Sequence, residues 1–477
     1  MPPRSEDMKD FHHHHHESTP LTNPDHHMSF SDNDEGEKSS SSKRPYQQWV
    51  LLAVALLFGG LYAKEFHAKS GGGPARIQKS KKEALKDEQP QQDDDSIAPA
   101  DNNNKRYSGP YKLSECHEGE EFFDYYDFFD GEDSEGSAGY NVYVGDKRAF
   151  QSGIANVTEE LYYEETTGQQ DQVPFVYMSS APTKKGPRES VRLEGRTLFN
   201  RGLFILDVHH MPAGCGVWPA FWLTNEEHWP DYGEVDIVEG INNQTKAKTA
   251  LHTSSKCSMY AHVAEYNRTG VWDRATGIPD TYTGDMDFAT SVPADNCWNL
   301  AAHQWSNQGC VTVTSEDGTI GVPLNEAGGG VYVLEWDPEH RYIRSWVFPR
   351  NKDLPSNLEG AIETAHVKDS SQQIVPDPQE WGLPYAYFAI GPTTGCSADH
   401  FRDMRIVFNT AFCGTVAGNR FGRDCPAEAQ KFQQGEEYNP VQSCNAFIES
   451  DPADVMAEAY WKVRGVYVYE RELEKKR

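Results

Sequence analysis

Basic residues are scarce in this chain of 477 residues. Lys plus Arg number 44 against 73 acids, for a formal net charge of −29. That deficit argues against a nucleic-acid partner, whose phosphates such a surface would repel. Long apolar runs are scarce too. Trp49–Ala63 is fifteen residues without a charge, short of the roughly 20 that a membrane helix usually needs. Extended helical periodicity is rare, which weighs against an α-helical fold. No two cysteines stand at C-x-x-C spacing, so a zinc centre is a poor reading, and no internal repeat is visible. Cysteine is missing altogether before Cys116; all nine lie beyond the apolar segment.

What is present divides the chain in four. Residues 1–45 are polar, with a serine run at Ser39–Ser42, and are expected to be a disordered cytoplasmic tail. The histidines of that tail (His12–His16, His26, His27) are read as low-complexity sequence rather than a metal site. Residues 46–64 extend the apolar run with Tyr46, Gln47 and Gln48 at its edge, and a thin internal membrane would suit it. Lys43 and Arg44 precede it, which keeps the N-terminus cytoplasmic. The expectation is an uncleaved signal-anchor, a single span and a type II topology. Residues 65–106 carry Gly71–Gly73, a lysine-rich piece, Asp93–Asp95 and Asn102–Asn104, the composition of a flexible tether. Cysteines confined to the far side of the anchor fit a lumenal or extracellular domain with disulfides. Their odd number leaves at least one thiol unpaired within the chain. Sequons at Asn156, Asn243 and Asn267 agree with a secretory route.

From residue 107 to 472 the sequence reads as short β-branched or aromatic runs separated by turn residues. Examples are Leu203–Val208, Thr249–Thr253, Val331–Trp336, Tyr342–Phe348, Tyr385–Ile390, Met404–Thr410 and Gly465–Tyr469. That pattern predicts an all-β sandwich. Aromatic residues make up 12% of the chain, including 11 Trp and 23 Tyr, a composition suited to stacking on sugar rings.

Gly233-Glu234-Val235-Asp236-Ile237-Val238-Glu239-Gly240 organises the rest. The β-branched residues favour a strand, and alternation puts Glu234 and Asp236 on one face. Strict alternation would send Glu239 to the other. One extra residue at Ile237-Val238, a β-bulge, returns it to the face of the other acids. A purely structural strand gains nothing from three crowded carboxylates. A retaining glycosidase needs one carboxylate as nucleophile and one carboxylic acid as proton donor, and crowding by like charge helps keep one protonated. Upstream, Trp218, Trp222 and Trp229 precede the acids; Trp222 and Trp229 are expected to line a sugar-binding cleft, and Trp218 less so. Downstream, His252 follows by one hairpin's length and is expected beside the acids.

With these pieces the domain resembles glycoside hydrolase family 16, in particular the laminarinase-like endo-1,3(4)-β-glucanases. The matching stretches include Phe122–Phe129, Ser190–Leu193, Gly202–Ile205, Trp218–Trp222, Gly233–Gly240, Leu251–Ser254, Gly329–Tyr332, His400–Arg402, Phe412–Gly414 and Ala459–Trp461. The resemblance implies a β-jelly-roll sandwich of the concanavalin A-like kind. It implies Glu234 as nucleophile, Glu239 as acid/base and Asp236 as an assistant between them. Trp222, Trp229, His252 and Arg192 would contact β-glucan; no cofactor or metal is implied, and the protein is expected to be a monomer. The long segments Lys256–Ala302 and Glu132–Ser137 depart from the family pattern and bear on which glucan fits. A transglycosylase or accessory factor in glucan assembly is the alternative, with a non-catalytic glycan-binding module behind it. A binder has no use for both glutamates.

Overall fold

The computed structural model describes residues 107–132, 136–163, 170–259, 267–275 and 292–473. The expected tail, anchor and tether lie outside these residues. Among the described residues no helix is long and apolar enough to cross a membrane.

The strands are, in order, β1 (Tyr107–Glu118), β2 (Tyr126–Phe128), β3 (Asn141–Tyr143), β4 (Ala155–Tyr163), β5 (Gln170–Met178) and β6 (Arg188–Ser190). Next come β7 (Arg192–Gly195), β8 (Gly202–His210), β9 (Val217–Thr224), β10 (Glu234–Glu239), β11 (Lys248–His252) and β12 (Val271–Trp272). The last are β13 (Cys310–Val313), β14 (Gly330–Asp337), β15 (Tyr342–Pro349), β16 (Ala386–Ala389), β17 (Arg405–Phe412) and β18 (Trp461–Leu473). They build two eight-stranded sheets. The first runs β16-β15-β14-β8-β18-β5-β4, with β1 also paired to β18; the second runs β12-β13-β11-β10-β9-β17-β7-β2. All pairings within both sheets are antiparallel, and β3 and β6 form a small parallel pair. The expected all-β sandwich is therefore present.

The main core lies between the sheets. Phe204, Leu206, Val208, Tyr332, Leu334 and Trp336 of the first sheet share it with Phe221, Leu223, Val235, Ile406 and Phe408 of the second. Phe408 is its aromatic hub: its ring centroid is 4.6 Å from Phe221 and 5.5 Å from Trp461. Such pairs add about 1 kcal/mol each beyond burial of area. A second apolar cluster lies on the other side of the first sheet, where Leu203, Ile205, Val331 and Val333 meet Leu358, Ala361 and Ile362 of the helix Ser356–Thr364. Burial of both faces explains why β8 and β14 read as nearly unbroken apolar runs rather than alternating ones.

Four disulfides, Cys215–Cys425, Cys257–Cys396, Cys297–Cys310 and Cys413–Cys444, staple the loops. Two of them fix the C-terminal helices, including Pro440–Glu449, to the ends of β9 and β17. Cys116 on β1 is the free thiol that the odd count required.

Candidate active site

The open face of the second sheet is built around β10. Its register against β9 pairs Asp236 with Trp222 but Val238 with Phe221, so one extra residue interrupts the ladder. The predicted bulge is there. Val235, Ile237 and Val238 all point into the core, and Glu234, Asp236 and Glu239 share the opposite face. Gly233 makes the turn into the strand at φ +77°, where a Cβ would lie 2.4 Å from the carbonyl oxygen of His400.

Neighbouring strands complete the face. β11 sets His252 opposite Glu234, and the imidazole Nε2 lies 3.0 Å from Asp236 Oδ2 and 3.8 Å from Glu234 Oε1. Trp229 donates its indole N–H to Glu234 Oε2 at 2.8 Å, and Trp218 donates its own to Glu239 Oε1 at 2.8 Å. Trp222 instead donates to Asn409 Oδ1 at 2.8 Å, and Asn409 donates to the Tyr143 hydroxyl. Arg192 comes from β7; its guanidinium carbon lies 5.4 Å from the Trp222 ring centroid and 5.2 Å from that of Phe129. Its Nε is held by Glu194 at 3.0 Å, and Glu226 lies 3.5 Å from Nη2. The sequence-derived residues Glu234, Asp236, Glu239, Trp222, Trp229, His252 and Arg192 thus lie on one wall. Arg192 is nearly buried, so it braces the Trp222 ring as well as edging the site.

Burial is the first cause of every carboxyl shift on this wall. It pushes Glu234 up to about 7, and the neighbouring Asp236 charge adds to that while His252, Trp229 and Arg192 oppose it. Burial also raises Asp236, against the hydrogen bond from His252. It raises Glu239 as well, against the hydrogen bond from Trp218. Burial alone would lower His252, but Glu234, Asp236 and Glu239 reverse this and lift it to about 9. A charged imidazolium among three acids is the electrostatic centre of the site. The donor atoms of Glu234, Asp236 and His252 lie within 4.8 Å of one another, and the His252–Asp236 hydrogen bond accounts for that proximity. Beside Trp229 opens a cavity of about 530 Å³ lined by Tyr232, Ser254, Asp399, His400 and Arg402 among others. The Arg402 guanidinium sits 3.9 Å over the Tyr232 ring.

Sequence reasoning underweighted Trp218 and missed Asn409 and also Asn307, whose Oδ1 lies 3.1 Å from His252 Nδ1. A tryptophan in a strand reads first as core. Asn409 left a signal, a polar residue inside the apolar run of β17. Asn307 is in a loop and left none.

Two glutamates and an aspartate on one face of an antiparallel sandwich, each glutamate held by an indole N–H, supply the crowded carboxyls that a glycoside hydrolase requires. Residues 126–469 match the XgeA-like, catalytic GH16 domain, and the chain belongs to glycoside hydrolase family 16. A probable endo-1,3(4)-β-glucanase of Aspergillus fumigatus is 31% identical over 378 residues, covering 79% of this chain and 48% of that protein. The chain thus spans about half the length of such relatives. Among solved structures, an elongating GH family 16 β-1,3-glucosyltransferase superposes with a TM-score of 0.56 at 29% identity, covering 75% of this chain and 99% of its own. Laminarinase 16A of Phanerochaete chrysosporium, holding two β-glucans in donor and acceptor sites, superposes with a TM-score of 0.53 at 26% identity over the same shares.

Proposed function

We propose that this domain cleaves β-1,3 or mixed β-1,3/1,4 glucan within the chain, retaining anomeric configuration. The observation that carries the reading is the bulge at Ile237, which returns Glu239 to the face of Glu234 and Asp236. The Glu234 carboxylate attacks the anomeric carbon while Glu239 gives its proton to the glycosidic oxygen, and the sugar on that oxygen leaves. A glycosyl ester on Glu234 remains. Glu239, now a carboxylate, takes a proton from water, whose oxygen displaces Glu234 and restores both groups. Burial favours the protonated form of Glu239 that the first step requires. His252, charged and near both Glu234 and Asp236, favours the ionised nucleophile. Asp236 tunes the pair electrostatically. Trp222, Trp229 and Arg192 supply ring faces and a charged edge for the sugars. Proton NMR of the first-formed product from laminarin tests the reading; an initial α-anomer would sink it.

A second reading is transfer to a sugar acceptor in place of water. It is favoured by the likeness to the elongating β-1,3-glucosyltransferase. Chromatography of products with and without an added acceptor separates the two. We further propose that residues 46–64 anchor the domain on the lumenal or outer side of a membrane, as a type II monomer. Lys43 and Arg44 ahead of the apolar run and four disulfides behind it support this. Protease digestion of the domain in sealed microsomes without detergent would contradict it.

A further inference from the structure

Cys297 and Cys310 are bonded across a separation of 13 residues. The loop they close folds on itself: the Asn307 amide donates to Asn299 O at 2.6 Å, and the Gln304 side chain reaches Asn296 O and Gly309 O at 2.7 Å. Its base is tied to the residue that follows β11: Thr253 N–H donates to Cys297 O at 2.8 Å. The loop ends against His252. A Cβ at Gly309 would lie 2.9 Å from His252 Nδ1 and 2.4 Å from Leu251 O, so that ring has backbone pressed on its flank. Asn307 Oδ1 lies 3.1 Å from His252 Nδ1.

We propose that Asn307 is a positioning residue for catalysis: its amide oxygen accepts the Nδ1–H of His252, which turns Nε2–H toward Asp236 and Glu234, and the disulfide-closed loop 297–310 holds it there. The inference rests on Glu234 being the nucleophile. The reasoning is a count of protons. A neutral imidazole carries one N–H. If Nδ1–H is spent on Asn307, a neutral ring would aim a bare Nε2 lone pair at two carboxylates. With both carboxylates ionised, only the ring with both nitrogens protonated satisfies both sides. The charged groups facing His252 are Glu234, Asp236 and Glu239 from β10; Lys248, further along the strand of His252, acts on Glu239. The loop side adds the uncharged Asn307 amide and the Gly309 backbone. Asn307 thereby acts on Glu234 through His252 without touching sugar.

The test uses the full chain, with substitutions at Asn307, at the two loop cysteines and at His252. Asn307→Leu removes the acceptor and is expected to lower kcat on laminarin about tenfold, the scale of one lost hydrogen bond, with KM within about twofold. The acidic limb of its pH profile should move to higher pH, because less positive charge faces Glu234. Asn307→Asp keeps an acceptor and should recover kcat to within about threefold of the parent. Replacing Cys297 and Cys310 by alanine together should shift the limb in the same direction as Asn307→Leu. Nitrogen-15 NMR of labelled histidine, with His252→Gln to identify the signal, reads the ring directly. His252 should hold both protons at neutral pH in the parent and titrate lower in Asn307→Leu. An unmoved His252 titration together with an unmoved acidic limb would overturn the proposal. Absence of glucanase activity in the parent would defeat the nucleophile reading instead, and the NMR comparison would still decide the role of Asn307. If Asn307→Leu does not fold, the Asp and double-alanine variants decide by the same titration.

Discussion

Trp218 Nε1 stands 2.8 Å from Glu239 Oε1, and that hydrogen bond opposes the burial that raises the carboxyl. Trp229 does the same for Glu234. Each glutamate is thus poised between a desolvating wall and one indole donor. The surroundings then differ: Glu234 also faces Asp236, His252 and the Arg192 field, while His252, Glu234 and Lys248 act on Glu239 by charge alone.

Glu234→Gln and Glu239→Gln should each cut turnover on laminarin by about 10³-fold or more, with the fold intact by circular dichroism. An amide neither attacks nor donates as a carboxyl does. With azide added, Glu234→Ala should yield an α-glycosyl azide. Near-parental rates in either Gln variant would remove that residue from its role.

Activity should fall as pH drops below about 7, where Glu234 takes up its proton. The same shift bears on stability. The folded carboxyl binds its proton more tightly than the unfolded one, so stability declines as pH rises from about 4.5 to about 7 and stays reduced above. The cost is at most on the order of 3 kcal/mol. His252 pushes stability in the same direction at higher pH: its contribution is full below about 6.5 and is lost as pH rises through about 9. Glu234→Gln is therefore expected to melt about 2–4 °C above the parent at pH 8 and near it at pH 4.5. Calorimetry at both pH values checks the sign.

Trp218→Phe removes the donor that opposes protonation of Glu239. The basic limb of the pH profile should move up by about half to one unit, and kcat should fall roughly threefold to tenfold. Trp222→Phe is the control. Its indole bonds Asn409, so it should alter KM and leave that limb in place. Equal shifts in both variants would mean that ring packing, not the Glu239 bond, sets the limb.

Asp236→Asn should impair turnover less than loss of either glutamate. It removes a negative charge that raises Glu234 while leaving an oxygen to accept from His252. The acidic limb should move below its parental position. A profile unchanged at undiminished rate would make Asp236 a bystander.

Much of the architecture was legible because strands write their chemistry locally. Val331–Trp336 and Tyr342–Phe348 were found within one residue of β14 and β15. The bulge was legible because only an extra residue reconciles Asp236 and Glu239 on one face. The cysteine partners were not. Cys215 and Cys425 lie 210 residues apart, and only the finished fold sets their contact. Asn307 was illegible for a related reason: loop sequence does not say what its tip will meet.

The bulge at Ile237 makes the site a matter of parity. Were β10 to pair as a regular ladder with every residue kept, alternation would drive the glutamate now on the open face into the apolar layer beside Phe221 and Phe408. With the extra residue deleted, Glu-Val-Asp-Val-Glu would alternate with all three acids on the open face. No replacement of one amino acid by another reproduces that inversion, because substitution changes what a position carries and never which way it points. An insertion or deletion here therefore cannot drift by degrees. A related chain that keeps all three acids on the open face must either bulge over two residues between the aspartate and the second glutamate, as here, or carry only one residue there.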